Sequence, residues 1–349
     1  MVKYLGSKRK LLPAIAEAVT SCTPTGEVLD VFSGTARVGH HLKGLGYRVH
    51  ANDYLLAPYH FARTYVEADG LAHRQEVETH LTRLAAVEPA QDHWFAQRYA
   101  VESRYFTPEN ALKIAAIREA IEQSEGITKS ILLTALIEAA DRVDSTTGLQ
   151  MAFLKSYASR ALQPLSLRLP QMCAGTGSTA HHGDALDFVR GRSADLAYLD
   201  PPYNQHSYLG NYHIWETLAL WDNPDVYGVA RKRTDVRRRT SAWNRRRGIA
   251  PALDALLQDL DVRFVVLSFS DEGFLGADEI EERLAREGEV TRRTIPYPRY
   301  VGAKIGIHDQ RGNKVGQVKS LQNEESIFVL DRRQKSPCST RPAASQAAP

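Results

Sequence analysis

The chain has 349 residues, 43% of them hydrophobic and 24% charged, with a formal net charge of +3. This suits one large globular domain or a domain with a substantial insertion. It excludes a membrane span, since no apolar run approaches the ~18 residues required. It also excludes a disulfide framework or a zinc site, since Cys22, Cys173 and Cys338 are too scattered for either. The N-terminal stretch MVKYLGSKRK lacks the apolar core of a secretory signal, so a reduced, cytoplasmic protein is expected.

The first element is the arm YLGSKRKLL, Tyr4 to Leu12. It reads either as a plain lead-in to an amphipathic helix or as a reach into a pocket. In the second case Tyr4 offers an aromatic face and Lys8 a cation for a carboxylate. GEVLDVFSG then reads as a short strand running into a turn of small residues. TARVGHHLKGLG continues as a helix that Gly44 and Gly46 end, and YRVHANDY is a second strand closing on an acid. Strand, turn, helix and strand fit within the ~30 residues of one such unit. Small residues let a ligand approach the backbone, and Asp53 at the end of the second strand is placed to accept from ribose hydroxyls. The turn lacks a full Gly-x-Gly-x-x-Gly and a phosphate-binding lysine, which disfavours a dinucleotide or ATP.

Helical spacing dominates from roughly Leu55 to Ala161, with Thr107-Pro108-Glu109 as a helix start. Strand signals return after Gly175: weakly in STAHHGDAL, clearly in ADLAYLD and VRFVVLSFS, and again in EVTRRTIPY and ESIFVLDR. APALDALLQDL is a helix before the VRFVVLSFS strand. The alternation predicts an open, mainly parallel α/β sheet interrupted by helices. The tail RRQKSPCSTRPAASQAAP has a disordered composition.

ADLAYLD stops on Asp200-Pro201-Pro202-Tyr203, then Asn204. Two prolines cannot continue a sheet ladder. The stretch is a rigid turn, or it is a preorganised acceptor pair with an aromatic face at the lip of the sheet. An exocyclic amino group of a nucleobase fits the second reading. Its two N–H bonds would go to the Asp200 carboxylate and the Pro201 carbonyl, aiming the nitrogen lone pair at an electrophile, while Tyr203 stacks on the base. Downstream, RKRTDVRRRTSAWNRRRG holds Arg231, Lys232, Arg233, Arg237, Arg238, Arg239, Arg245, Arg246 and Arg247 against one acid, Asp235. These nine form a solvated loop or a phosphate-contacting surface. The tandem pairs His40-His41 and His181-His182 are not metal ligands, because neighbours on a strand or helix point apart.

Taken in order, KYLGSKRKLL, LDVFSGTA, Asn52-Asp53, GDAL at 183–186 and LDPPYN resemble motifs X, I, II, III and IV of the Dam-like, α-class DNA adenine-N6 methyltransferases. SYLGNYHIWETL, VYGVARKR and VVLSFSDEGFL resemble a subgroup found with restriction systems. The resemblance covers most of the chain outside the helices and the tail. It implies S-adenosylmethionine as methyl donor, with Asp30, Phe32, Gly34 and Thr35 near its methionine part. Tyr4 and Lys8 would contribute from the arm, Asp53 would hold the ribose and Asp184 the adenine amine. Ala36 stands where the family has glycine, so its methyl group narrows the cofactor loop unless the residue is already helical.

The expected fold is a Rossmann-like, S-adenosylmethionine-dependent α/β methyltransferase. Residues 1–60 and 175–333 form the catalytic domain, 61–174 a helical insertion contributing to target recognition, and 334–349 a disordered tail. The expected reaction is methylation of the N6 amino group of a flipped adenine in a specific sequence of double-stranded DNA. Asp200, Pro201, Pro202 and Tyr203 are the catalytic residues, with no metal. A restriction endonuclease acting on the same site is the expected partner. An RNA adenine-N6 methyltransferase, a catalytically silent DNA-binding protein and an N4-cytosine methyltransferase are the alternatives.

Overall fold

The computed structural model describes residues 1–4, 6–298, 307–308, 314–316 and 322–332. The tail expected to be disordered, 334–349, lies outside the described residues, as does Cys338.

Seven strands form one sheet: β1 (Glu27–Asp30), β2 (Arg48–Asp53), β3 (Thr179–His182), β4 (Ser193–Leu199), β5 (Asp261–Ser270), β6 (Glu289–Pro298) and β7 (Gln322–Asp331). Their spatial order is β3-β2-β1-β4-β5-β7-β6. The first five run parallel, and β7 lies antiparallel between β5 and β6. The order reverses between β1 and β4, where Asp30 pairs in register with Tyr198. That switch point is where an open parallel sheet leaves a crevice beyond its carboxyl ends.

Side chains alternate between two apolar layers, as the twofold period of a strand requires. Val28, Val49, Leu196, Tyr198 and Val266 enter one cluster, while Leu29, Val31, Ala197, Leu199, Val265 and Leu267 enter the other. Burial on both faces explains why ADLAYLD reads as a continuous apolar run rather than an alternating one.

The first layer is covered by α1 (Leu12–Cys22), α2 (Arg37–Gly44), α3 (Leu56–Ala62), α4 (Arg74–Ala85), α5 (Pro108–Ile121) and α6 (Gly126–Arg142). The helices expected within 61–174 share one continuous core with this sheet face: Ile114, Ile131, Leu132 and Leu136 belong to the same cluster as Val49. α6 is buried nearly all round, as a helix at the centre of a layer must be. Thr107 starts α5 by accepting a hydrogen bond from the Asn110 N–H at 3.3 Å, with Pro108 in the first turn where its missing N–H costs nothing. The second layer is built from α7 (Ala185–Val189), α9 (Ile249–Asp259) and α10 (Ala277–Ala285). Between the layers' coding segments, α8 (His213–Leu220) follows the Asp-Pro-Pro-Tyr turn and buries Trp215 and Leu218 in the first layer. No helix among the described residues is long and apolar enough to cross a membrane.

Candidate active site

Because β1, β2, β3 and β4 are parallel, their carboxyl ends share one edge of the sheet. Each end delivers an acid there: Asp30 and Asp53 as last strand residues, Asp184 and Asp200 just beyond β3 and β4. A cavity of about 340 Å³ opens at this edge. Its wall brings together Tyr4, Lys8, Asp30, Phe32, Gly34, Thr35, Asp53, Asp184, Asp200 and Pro202, residues separated by up to two hundred positions in the chain. Pro201 is buried and Tyr203 half-buried; neither is part of the wall. Tyr203 instead packs its ring on Phe269 at 5.5 Å, and its carbonyl accepts the Phe274 N–H at 2.8 Å. Ser268 of β5 is fully buried and contacts the Tyr198 hydroxyl at 2.8 Å.

The turn after β1 is shaped by its small residues. Gly34 takes φ +53°, a conformation that costs glycine little, and its N–H donates to Asp53 Oδ2 at 2.9 Å. Asp53 Oδ1 accepts from the Leu55 N–H, also at 2.9 Å, so this carboxylate braces two loops at once. Burial pushes its pKa up to about 7, against the pull of these two donors. Ala36 is not helical: it sits at φ 58°, ψ 20° as the cap of α2. Its methyl group is fully buried in the first apolar layer and is absent from the cavity wall. The expected narrowing of the loop therefore does not occur, and the alanine instead carries left-handed backbone strain.

Asp30 is 1% exposed, and its side-chain oxygens meet no donor at full hydrogen-bond geometry, with the Gly39 N–H nearby. Burial, and then the charge of Asp200, push its carboxyl up to about 8. An orphaned carboxylate costs the apo protein stability. In the wall of a cavity, it is also a site for a ligand that brings its own donors or positive charge. Asn52 repeats the pattern: its amide donates to the carbonyls of Val31 and Gly183, and its Oδ1 is unpartnered in the same wall.

The arm supplies aromatic faces. Tyr4 stacks on Tyr208 at 5.1 Å and on Tyr212 at 4.4 Å, with interplanar angles of 5° and 13°. Lys8 meets a carboxylate as expected, but an internal one. Its ammonium lies 2.8 Å from Asp200 Oδ1 and 2.9 Å from Glu325 Oε1, and it is 5% exposed. Burial raises the Asp200 carboxyl to about 6, with Lys8 pulling it back down. Asp200 is thus mainly ionised at neutral pH and held from one side.

The nine basic residues divide by environment. Arg237, Arg238, Arg245, Arg246 and Arg247 are exposed. Arg231 pairs with Glu102 at 3.2 Å, and Lys232 is half-buried in a two-residue ribbon beside Tyr227. Arg233 departs from the expected surface role. It is 3% exposed and clamped between Asp222 at 2.7 Å and Asp235 at 3.0 Å, so its charge is spent inside the fold. Arg239 joins the cavity wall and pairs with Glu216 Oε1 at 2.9 Å.

Sequence reasoning missed Glu216 and Glu325. Glu216 accepts from the Leu56 and Ala57 N–H groups at the start of α3, tying that helix to Arg239. A single acid on the apolar face of HIWETL was its only signal. Glu325 lies in a strand buried on both faces, where any acid demands a partner.

Residues 4–273 match the family model described as D12 class N6 adenine-specific DNA methyltransferase. The chain is 30% identical to type II methyltransferase M.NlaIII of Neisseria lactamica, over 89% of this chain and 96% of that protein. It is 29% identical to modification methylase LlaI of Lactococcus lactis subsp. lactis, over 93% of this chain and 56% of that protein. With type II methyltransferase M.FokI of Planomicrobium okeanokoites the identity is 30%, over 86% and 50%. The chain thus spans nearly all of the first relative and about half the length of the other two.

Proposed function

The chain belongs to the D12 class of N6 adenine-specific DNA methyltransferases, and from that premise we propose that Asp200 orients the target amine. The observation that carries this reading is a carboxyl group in the cavity wall at the sheet's switch point, held on one oxygen by a buried lysine 2.8 Å away. S-adenosylmethionine is the family's cofactor and supplies, when bound, an electrophilic methyl group on a sulfonium centre.

The wall fits that cofactor. The orphaned oxygens of Asp30 suit its cationic amino acid end, and the aromatic face of Tyr4 lies in the same cavity. Asp53 would accept from the ribose hydroxyls, and Phe32, Gly34, Thr35 and Asp184 line the same cavity. Asp200, in the cavity wall, accepts one N–H bond of adenine N6, and the Pro201 carbonyl accepts the second once the turn shifts to present it to the cavity. Held in this way, the nitrogen lone pair would be free to attack, and Asp200 would offset the positive charge that develops on nitrogen. Pro202 stiffens the turn, and Tyr203, whose ring packs on Phe269 outside the wall, stacks on the base only once it turns toward the cavity. An adenine within a duplex must leave the stack to reach this cavity, at about a few kcal/mol. Phosphate contacts by Arg237, Arg238, Arg245, Arg246 and Arg247 offset that cost. The helices within 61–174 contribute to reading the target sequence. A restriction endonuclease acting on the same sequence is the partner, and the cytoplasm, where DNA and cofactor meet, is the location.

The test is methyl transfer from labelled S-adenosylmethionine to duplex DNA, with N6-methyladenine identified by mass spectrometry. Asp200→Ala is expected to abolish the product and leave cofactor affinity roughly intact. Substantial residual turnover would sink the role given to Asp200.

A further inference from the structure

Lys8 does not hold Asp200 alone. Its ammonium lies between Asp200 Oδ1 at 2.8 Å and Glu325 Oε1 at 2.9 Å, with both Lys8 and Glu325 about 5% exposed. Glu325 comes from β7, the antiparallel strand inserted beside β5, where it stands in register with Ser270. It lies beyond residues 4–273, the part of the chain the family model matches. A buried lysine with one carboxylate partner makes a closed pair, and its ammonium then competes with any incoming donor for that carboxylate. A second carboxylate at ion-pair distance draws on the same ammonium's charge and leaves the cluster with a net negative charge.

We propose that Glu325 is a positioning residue for adenine methylation: it holds the Lys8 ammonium at Asp200 Oδ1 from the far side, so that Asp200 keeps one orientation and retains acceptor capacity for the target amine. Glu325 touches neither substrate nor cofactor in this role; it acts through Lys8. The inference rests on the assignment of Asp200 made above.

The groups facing Asp200 are Lys8 from the arm, Glu325 from β7, Ser268 from β5, Asp30 from β1, and the hydroxyls of Tyr198, Tyr203 and Tyr208. Burial raises all three tyrosines, so they stay neutral. Lys8 and Ser268 favour the ionised Asp200, and Glu325 opposes it. Removing each partner therefore shifts the acid limb of the pH–rate profile in an opposite direction.

The experiment compares Glu325→Gln, Lys8→Met and the double variant for kcat against pH on duplex DNA, with cofactor affinity and unfolding temperature measured alongside. Glu325→Gln is expected to move the acid limb down by about one pH unit and to lower kcat at neutral pH by about tenfold. Cofactor affinity should stay within about twofold. Lys8→Met should move the limb up, and the double variant should return it toward wild type. An unmoved limb in Glu325→Gln overturns the proposal, as does a loss of kcat that tracks only a loss of folded protein. If the wild-type chain transfers no methyl group to adenine, the assignment of Asp200 fails instead, so the two failures are distinct.

Discussion

Three carboxyl groups at the sheet edge are raised by burial, to about 8 at Asp30, about 7 at Asp53 and about 6 at Asp200. They differ in consequence. In the role proposed for it Asp200 acts in its ionised form, so kcat is expected to fall as pH drops through about 6, by up to about tenfold per unit. A flat profile from pH 5 to 7 would remove Asp200 from the rate equation. Asp30 affects folding instead. Its native carboxyl binds a proton more readily than the unfolded one, whose value is 3.8, so the native state holds more protons between about pH 4 and pH 8. The stability present at low pH is therefore lost as pH rises through that window. Asp30→Asn should show little advantage over wild type at pH 4 and a growing one toward pH 8, read as apo unfolding temperature. At Ala36, left-handed strain of ~1–2 kcal/mol opposes a buried methyl worth ~0.8 kcal/mol and the stiffer unfolded chain of alanine. Ala36→Gly should change stability by less than about 1 kcal/mol and leave cofactor affinity within about twofold, because the methyl group faces the core.

At the scale of elements, the segment 231–247 combines two tasks that its composition could not separate. Charge counting sees nine equivalent cations. The fold uses Arg233 to pin the ribbon to Asp222 and Asp235, and Arg239 to join the cavity wall to Glu216. Of the exposed remainder, Arg237 lies over the Tyr227 ring at 4.1 Å and Arg245 donates to the Thr240 hydroxyl, and no ion pair involves any of the five among the described residues. Replacing Arg237, Arg238 and Arg246 with alanine should weaken DNA binding and reduce the slope of log affinity against log salt by about three. Unchanged affinity at low salt would make them a solvated loop. Arg233→Ala should act on folding, at about 1–3 kcal/mol, since its aspartate partners retain some solvent. The acids at strand ends were legible because a parallel strand buried on both faces is an apolar run with a conspicuous stop. Lys8 was legible as a cation seeking a carboxylate, but its partner was not. Glu325 lies in a different strand, and only the sheet order brings the two together.

Over the whole molecule, the sequence showed a parallel sheet and a run of helices, and the motifs X to IV pointed to its chemistry. The docking of those helices was not legible. A periodic pattern says that a helix has a buried face, but not what lies against it, and α6 is buried nearly all round. Sharing one core with the sheet, these helices are held rigidly relative to the cavity. That favours reading of a fixed target. DNA from cells expressing the chain should carry N6-methyladenine in a single sequence context, mapped by sequencing of modified bases. Methylation scattered without a motif would contradict a reading role for them.

The Lys8–Asp200–Glu325 cluster also has a history in time. Its members arise near the start, beyond the middle and close to the end of the described chain. During synthesis at about 5–20 residues per second, Lys8 and Asp200 are present roughly ten seconds before Glu325 is made. Strand β7 can pair with β5 only then, and such long-range pairing is intrinsically slow. A polypeptide that ends before Glu325 therefore has the Asp-Pro-Pro-Tyr turn and Lys8 without the second carboxylate, and on the role proposed for Glu325 full methylating capacity is expected only after β7 is made.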